Sequence, residues 1–363
     1  MGLSAIGQSN LYQPKDFADI DSFITTQMES IKIPGLSACI IIGDSVVWNG
    51  NYGYMNLADS IPVTDTTLFN VFSISKVVTA SSVMQLWDNQ LLDIDENINN
   101  ILPFDIHNSW YPDIITPRML MWHGGTIRDN DVSDYTTIGD PDSSNYSFLE
   151  NYLCPGGAYH SQYNYYHEIP GTNAHYSNYG VALNGLLVET LAGVDFKQYT
   201  RDSVFNLLDM EKSAWFLNDL NIDNLAFGYE YTLGNYQQQP HLGHPAYTGM
   251  SLRSTALELS NLVIMLLNHG EFNGQDILSE SAIDSMAKVQ NPDESTTFGL
   301  GLYDVSYSFG NRLAWGHNGG GTSGYAASMF YCEAENSAVV ITTNSSNWFD
   351  YIVKYLFVKQ GLL

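Results

Sequence analysis

From Leu36 to Ile42 the chain reads Leu-Ser-Ala-Cys-Ile-Ile-Ile, an apolar run broken only by one serine. Pro34-Gly35 precedes it and Gly43-Asp44 follows it. A run this short between turn residues is a strand, and one apolar on both faces is a central strand. Val46 to Tyr54 reads as its hairpin partner. Residues 17–32 read as a preceding helix, with Phe17, Ile20, Phe23, Ile24 and Met28 or Ile31 on one side. Near the other end, Phe298 to Tyr307, Arg312 to His317, Ala326 to Cys332 and Ser337 to Thr343 read as four more strands, and 347–358 as a final helix with Trp348, Ile352, Tyr355 and Leu356 inward. Strands at both ends with helices between them predict an α/β region whose antiparallel sheet draws on both chain ends, with a helical middle inserted.

That middle opens on the clearest helix, 74–92, where Val77, Ala80, Met84, Trp87 and Leu91 make one apolar stripe. Helices are also expected over 179–192, 197–208, 254–269 and 279–289. The span 129–170 is long and rich in tyrosine with little periodicity, the character of a functional wall or lid. Tyrosines that simply fill core and surface give the same composition.

The chain has 363 residues, 44% of them hydrophobic, enough for a sizeable core and about two structural units. Thirteen Lys and Arg against 39 Asp and Glu give a net charge of −26. Such a surface repels phosphate backbones, which argues against nucleic acid and anionic membrane as partners. No run of 18 apolar residues predicts a membrane span. The acidic composition and the absence of a leader suggest a secreted or periplasmic protein with its signal peptide removed, the cytoplasm being the alternative. Cys39, Cys154 and Cys332 form no CxxC pair, and Cys39 and Cys332 sit in apolar runs as buried thiols. The histidines are too dispersed for an HExxH or a clustered triad, so no metal and no cofactor is expected.

Three segments carry candidate chemistry. In Phe72-Ser73-Ile74-Ser75-Lys76 a helical start brings the lysine one turn above the serine. A hydroxyl needs an adjacent base to become a nucleophile, and a lysine serves when burial keeps it neutral part of the time. The same pair also suits a capping serine and a lysine reaching for water. In His175-Tyr176-Ser177-Asn178, immediately before a helix, a phenol can move a proton and an amide can hold both lysine and a carbonyl. An ordinary helix-capping turn has the same letters. In Trp315-Gly316-His317-Asn318-Gly319-Gly320-Gly321-Thr322-Ser323-Gly324 five glycines in nine positions let another backbone approach closely. A flexible hairpin with a surface histidine is the alternative. The glycines match neither a dinucleotide fingerprint nor a Walker loop.

In this order the three segments resemble the SxxK, YxN and [KH]xG signatures of the serine β-lactamases and penicillin-recognising hydrolases, in particular the class C β-lactamase-related group of D-peptidases, D-amino-acid amidases and esterases. Supporting landmarks are Pro34-Gly35-Leu36, Thr116 to Gly125, Phe205 to Met210, Ala246 to Ser254 and Gly299-Leu300-Gly301. The resemblance implies a β-lactamase/transpeptidase-like fold, an antiparallel sheet flanked by helices with an inserted helical subdomain. One catalytic domain would span 17–357, with an α/β region over 17–70 and 250–357 and a mainly helical region over 71–249. It implies Ser73 as acylated nucleophile, Lys76 as base or proton carrier, Tyr176 as proton relay or base, Asn178 as orienting amide and His317 on the strand edging the site. The backbone N–H groups of Ser73 and Gly320 would form an oxyanion hole, and Gly319, Gly321, Trp122 and His123 would line the substrate. The G-x-S-x-G elbow of α/β-hydrolases is absent around Ser73.

Two departures bear on substrate. His317 stands where many relatives carry lysine, which weakens recognition of a carboxylate, and Trp122-His123-Gly124-Gly125 replaces a more usual His-Thr-Ser-Gly. With the acidic field, these favour a neutral or amine-bearing ester or small amide, or a short peptide. The resulting expectation is an acyl-enzyme esterase or small-amide hydrolase. Its alternatives are a D-stereospecific peptidase or D-alanyl-D-alanine carboxypeptidase, a β-lactamase, and an inactive binding protein of the same fold.

Overall fold

The computed structural model describes residues 18–130, 132–291, 297–306, 312–321 and 323–359. Among them, seven strands form one antiparallel sheet, in the order Tyr303–Asp304, Trp315–Gly321, Tyr325–Cys332, Ser337–Thr343, Gly35–Ile42, Ser45–Asn56 and Ile61–Pro62. The apolar run lies at its centre. Leu36 faces Thr343 and Ile42 faces Ser337 across one ladder, while the hairpin partner occupies the other side. The two ends of the chain therefore meet as sheet neighbours.

Alternation along the central strand separates two cores. Leu36, Ala38 and Ile40 pack with Ile20, Ile24 and Met28 of the Ala18–Ile31 helix and with Ile352, Val353 and Leu356 of the Asp350–Lys359 helix. Cys39 and Ile41 face the other way, into a core built from the Ser75–Asp88 and Ala256–Leu267 helices. A third cluster gathers the Pro117–Met121, Asn145–Leu153 and Asn178–Ala192 helices around Leu120, Phe148, Tyr152, Tyr179 and Leu183. No helix among the described residues is long and apolar enough to cross a membrane.

The Ser75–Asp88 helix departs from the one-sided stripe. Every residue from Ser75 to Leu86 is buried. Most of its polar residues are bonded instead of facing water: Thr79 Oγ1 donates to Thr248 O at 2.7 Å and Gln85 Nε2 to Ser203 O at 2.7 Å, while the buried Ser81 hydroxyl has no partner among the described residues. The helix stops at Asp88 because Gln90 turns to φ 58°, and Leu91 is left 60% exposed.

Other expectations need correction. The stretch from Phe298 onward is no long strand: Gly299–Gly301 folds into a tight turn that bridges Phe298 to Tyr303, and pairing with Trp315–Gly321 covers only Tyr303 and Asp304. Tyr307 lies outside the described residues, as does Phe17. The strand after it does not stop at His317 but runs through Gly321. The 197–208 helix is α-helical only over Phe196–Thr200 and continues as a π turn to Phe205. Trp348 precedes the final helix and is 51% exposed, not inward. Within 129–170, a helix forms over Asn145–Leu153, and Tyr152 and Tyr165 are core residues while Tyr159 and Tyr163 face solvent. The span thus mixes a packed helix with long irregular stretches that face solvent. Cys39 and Cys332 are buried free thiols, and Cys154 is partly exposed.

Candidate active site

Ser73 stands in a turn between the Phe69–Phe72 strand and the Ser75–Asp88 helix. A bulge separates Asn70 from Phe72, and Phe72 adopts φ 45°, a left-handed conformation costly for a large side chain. The Phe72 N–H donates to Asn70 Oδ1 at 3.0 Å, which holds that bend. Lys76 N–H donates to Ser73 O at 3.0 Å, so the tight turn leads into the helix and stacks the lysine over the serine.

Lys76 is 1% exposed. Its Nζ donates to Ser73 Oγ at 3.2 Å, Asn178 Oδ1 at 2.6 Å and Gly249 O at 2.7 Å. Burial pushes its pKa down from 10.5 to about 7, and Asp129 opposes that shift. An ammonium has three protons, and three acceptors surround it.

Tyr176 Oη donates to Ser73 Oγ at 2.6 Å. Its ring is 41% exposed, yet the hydroxyl end is desolvated and its pKa rises, an effect the Ser73 bond reduces. Lys76 Nζ also lies 4.7 Å from the ring centroid. Tyr176 and Asn178 point the same way because Ser177 between them is extended, at φ −139° and ψ 121°. Ser177 caps the Asn178–Ala192 helix, accepting from Gly180 N at 2.9 Å, and donates its hydroxyl to Asp129 Oδ1 at 2.7 Å.

The third segment forms the open end of the Trp315–Gly321 strand. Asn318 N–H turns away from the neighbouring Tyr325–Cys332 strand and donates to Tyr303 Oη at 2.9 Å. Backbone donors alternate sides along a strand, so Gly320 N–H faces that same outer edge, beyond the reach of Tyr303–Asp304. Gly319 presses against the turn that carries Ser73: a β-carbon there would lie 2.0 Å from Val71 O and 3.0 Å from Ser73 N. Gly321 faces the Phe72 ring.

His317 is buried, and its Nδ1 hydrogen-bonds Asn318 O. A carbonyl accepts, so Nδ1 carries the proton. Burial, then Lys76, lowers its pKa to about 3. The imidazole is therefore neutral. His123 is buried too, at φ 68°, and its Nδ1 accepts from Ser177 N at 3.2 Å. Burial, Lys76 and His317 hold its pKa well below 6.5. Trp122 sits differently from the expected lining residue. Its indole is 5% exposed and packed in the core, against Gly124.

Sequence reasoning missed several residues. Asp129 accepts from Ser177 Oγ, Asn178 N and Tyr179 N, yet in an acid-rich sequence nothing sets it apart. Gly249 supplies the carbonyl on Lys76 from within the Ala246–Ser254 landmark. Phe298 and Tyr303 add an aromatic wall, with the His123 and Phe298 rings 4.9 Å apart and the Tyr303 and His317 rings 4.8 Å apart. Among the described residues, no group of three or more His, Cys, Asp or Glu side chains is placed to hold a metal.

A mixed fold with one antiparallel sheet, helices on both faces and this serine, lysine, tyrosine and asparagine cluster defines the architecture of penicillin-recognising serine hydrolases. The family model described as Beta-lactamase matches residues 20–362, and the chain belongs to that family. Beta-lactamase-like protein 2 of Dictyostelium discoideum is 25% identical over 332 residues, 89% of this chain and 58% of its own length. A Beta-lactamase of Yersinia enterocolitica is 22% identical and covers 95% of this chain and 90% of its own. The chain thus spans little more than half of the first relative. Among solved structures, the octameric penicillin-binding protein homologue from Pyrococcus abyssi has a TM-score of 0.79 at 23% identity, covering 95% of this chain and 78% of that one. A class C beta lactamase has a TM-score of 0.76 at 18% identity, covering 97% and 99%. At these identities, the structures report a shared fold.

Proposed function

We propose that this protein hydrolyses an ester or a small amide through an acyl-enzyme on Ser73. The observation that carries the reading is that Ser73 Oγ lies within hydrogen-bond reach of two proton-handling groups at once, Lys76 Nζ at 3.2 Å and Tyr176 Oη at 2.6 Å.

The proton inventory assigns roles. A base works best when its pKa lies near the working pH. Lys76, lowered to about 7, meets that condition, while Tyr176, raised by burial, stays a phenol. Neutral Lys76 takes the Ser73 proton as Oγ bonds to the substrate carbonyl carbon. The carbonyl oxygen becomes an oxyanion facing the Ser73 and Gly320 N–H groups, an arrangement worth about 3 kcal/mol per donor in comparable sites. Tyr176 hands its proton to the leaving oxygen or nitrogen as that bond breaks, and the proton on Lys76 replaces it. Water then adds to the acyl carbon and yields a proton to neutral Lys76, which passes it to Ser73 Oγ as the ester bond breaks and the acid leaves. Asn178, held by Lys76 through Oδ1, keeps its amide N–H groups for the substrate carbonyl.

Substrate class follows from His317. A neutral imidazole beside Lys76 offers a carboxylate little attraction, and the net charge of −26 repels anions at long range. Neutral or amine-bearing substrates fit this field. A D-stereospecific peptidase is the second reading, favoured by the strand edge at Gly320, which no strand among the described residues covers and along which an extended acyl group can lie. Efficient β-lactam turnover fits less well, because those substrates are anionic.

Stopped-flow hydrolysis of p-nitrophenyl butyrate tests the proposal. Native protein is expected to release about one equivalent of nitrophenol in a burst and then turn over, as acyl-enzymes do, with neither phase in Ser73→Ala. Equal rates in both proteins, or failure of a fluorophosphonate probe to label Ser73, would leave a binding protein of the same fold.

A further inference from the structure

Asp129 is a half-buried carboxylate that no proton-transfer step above employs. It lies in the loop after the Pro117–Met121 helix, directly beneath the Tyr176-Ser177-Asn178 segment. Oδ1 accepts from Ser177 Oγ at 2.7 Å and Tyr179 N at 3.1 Å, and Oδ2 accepts from Asn178 N at 2.6 Å. Both oxygens are engaged by donors, an arrangement that suits a carboxylate.

We propose that Asp129 is the positioning residue and counter-charge of this site, fixing Tyr176 and Asn178 on the nucleophile and setting the pH at which Lys76 becomes a base. The inference rests on the acyl-enzyme reading for its meaning in catalysis, although its central readout does not.

The geometry carries both halves. Ser177 points down to Asp129 while its neighbours Tyr176 and Asn178 point up to Ser73 and Lys76. Gripping the middle residue and the next two N–H groups fixes the direction of both flanking side chains. Asn178 links the two charges directly: its N–H meets Asp129, and its Oδ1 meets Lys76 Nζ at 2.6 Å. A negative charge one residue removed through Asn178 favours the ammonium form of a buried lysine. The other groups around Lys76 are Tyr176 from the same segment, His123 from the 117–125 segment and His317 from the sheet edge. Both imidazoles are uncharged near neutral pH. Asp129 is also faced by Tyr152 of the Asn145–Leu153 helix, whose phenol is pushed upward by burial first and by Asp129 to a lesser degree, and which stays neutral. The net shift of Asp129 is upward, because desolvation outweighs the pull of its three donors and Lys76, and those donors still favour the ionised form. Among these groups, Asp129 is the negative charge opposite Lys76.

The test compares Asp129→Asn with Ser177→Ala. The titration of Lys76 is read by NMR on protein labelled with ε-13C lysine, the resonance being assigned with Lys76→Arg. In Asp129→Asn the midpoint is expected to move down by about one pH unit. The acid limb of kcat/KM moves with it, alongside a loss of rate from the disturbed segment. Ser177→Ala removes one bond and no charge, so its midpoint stays while its rate falls. A native Lys76 midpoint in Asp129→Asn, or an equal shift in Ser177→Ala, overturns the proposal. If Asp129→Asn does not fold, Asp129→Glu keeps the charge and displaces it by one methylene. A lowered rate with a near-native midpoint is then expected, and an unchanged rate would refute the positioning role. Because the titration needs no substrate, a failure of the acyl-enzyme reading shows separately, as absent labelling of Ser73 in the native protein.

Discussion

Gly319 and Val71 are locked in contact: a β-carbon on Gly319 would sit 2.0 Å from the Val71 carbonyl oxygen. The approach is backbone against backbone, so no rotamer change relieves it. The same imagined β-carbon lies 3.0 Å from Ser73 N, the proposed first donor of the oxyanion hole. The glycine therefore sets the spacing between the nucleophile turn and the strand bearing Gly320. Gly319→Ala is expected to push the strand outward and separate the two donors. A loss of about 100-fold or more in the acylation rate should follow, measured from the nitrophenol burst. A native burst rate would show that the spacing does not govern the chemistry.

In the proposed reaction Lys76 sets the pH dependence. Its pKa of about 7 in the folded protein means that kcat/KM rises with pH through about 7 and then levels. The same depression acts on stability. Between about 7 and the unfolded value of 10.5, the unfolded chain binds a proton that the folded chain refuses, so this group's contribution to stability improves as pH rises. Lys76→Met keeps the length without the charge. It is expected to fold at least as stably at pH 7 while losing roughly 10²- to 10⁴-fold in rate. Urea unfolding and burst kinetics on one preparation separate the two effects. Marked destabilisation would mean that the three bonds of Lys76 outweigh its desolvation.

Under the proposed mechanism a Tyr176 variant separates acylation from binding. Tyr176→Phe removes one hydroxyl and its bond to Ser73 and retains the ring against His123, whose centroid lies 4.4 Å away. The wall is thereby preserved and the proton route is cut. The expected result is a fall of about 10²-fold or more in kcat with KM little changed. The fall should be smaller for p-nitrophenyl esters than for amides, since nitrophenolate leaves without a proton. An equal loss on both would place Tyr176 at the attack step instead of leaving-group departure.

The central sheet was legible because alternation and bounded apolar runs depend on local sequence. Leu36 to Ile42 and Ser337 to Thr343 appear as strands with the expected limits or nearly so, and the structure pairs them. The Ser75–Asp88 helix was misread on its faces because burial on every side is a tertiary fact: Thr79 and Gln85 read as surface until Thr248 and Ser203 supply their acceptors. Trp348 was misread because a helix pattern extended back one turn too far, to residues before Asp350. The site's four side chains, Ser73, Lys76, Tyr176 and Asn178, carry recognisable local spacing, and the structure gathers them. Asp129 carried none. Its importance comes from three donors 48 to 50 residues away in the chain, which no spacing encodes.

His317 should also shape acid stability. Burial holds its folded pKa at about 3, against 6.5 for an ordinary histidine. Below about 6.5 the unfolded chain takes a proton at this residue that the folded chain refuses until about 3. Its contribution to stability is thus intact above that window and lost progressively as pH falls through it, at up to about 1.4 kcal/mol per pH unit. Lys76 strengthens the effect, since protonating His317 would bring a second cation beside it. His317→Asn removes the titration and keeps a polar side chain of similar reach that can still donate to the Asn318 carbonyl. The variant is expected to lose less stability than the native protein between pH 6.5 and 4, even if it starts lower at pH 7. His241 and His244, both lowered to about 4 by burial, titrate in the same window in both proteins, so some slope persists. Urea unfolding at half-unit intervals measures the difference. Parallel stability curves for the two proteins would mean that water reaches the imidazole and that its proton is not excluded by the fold.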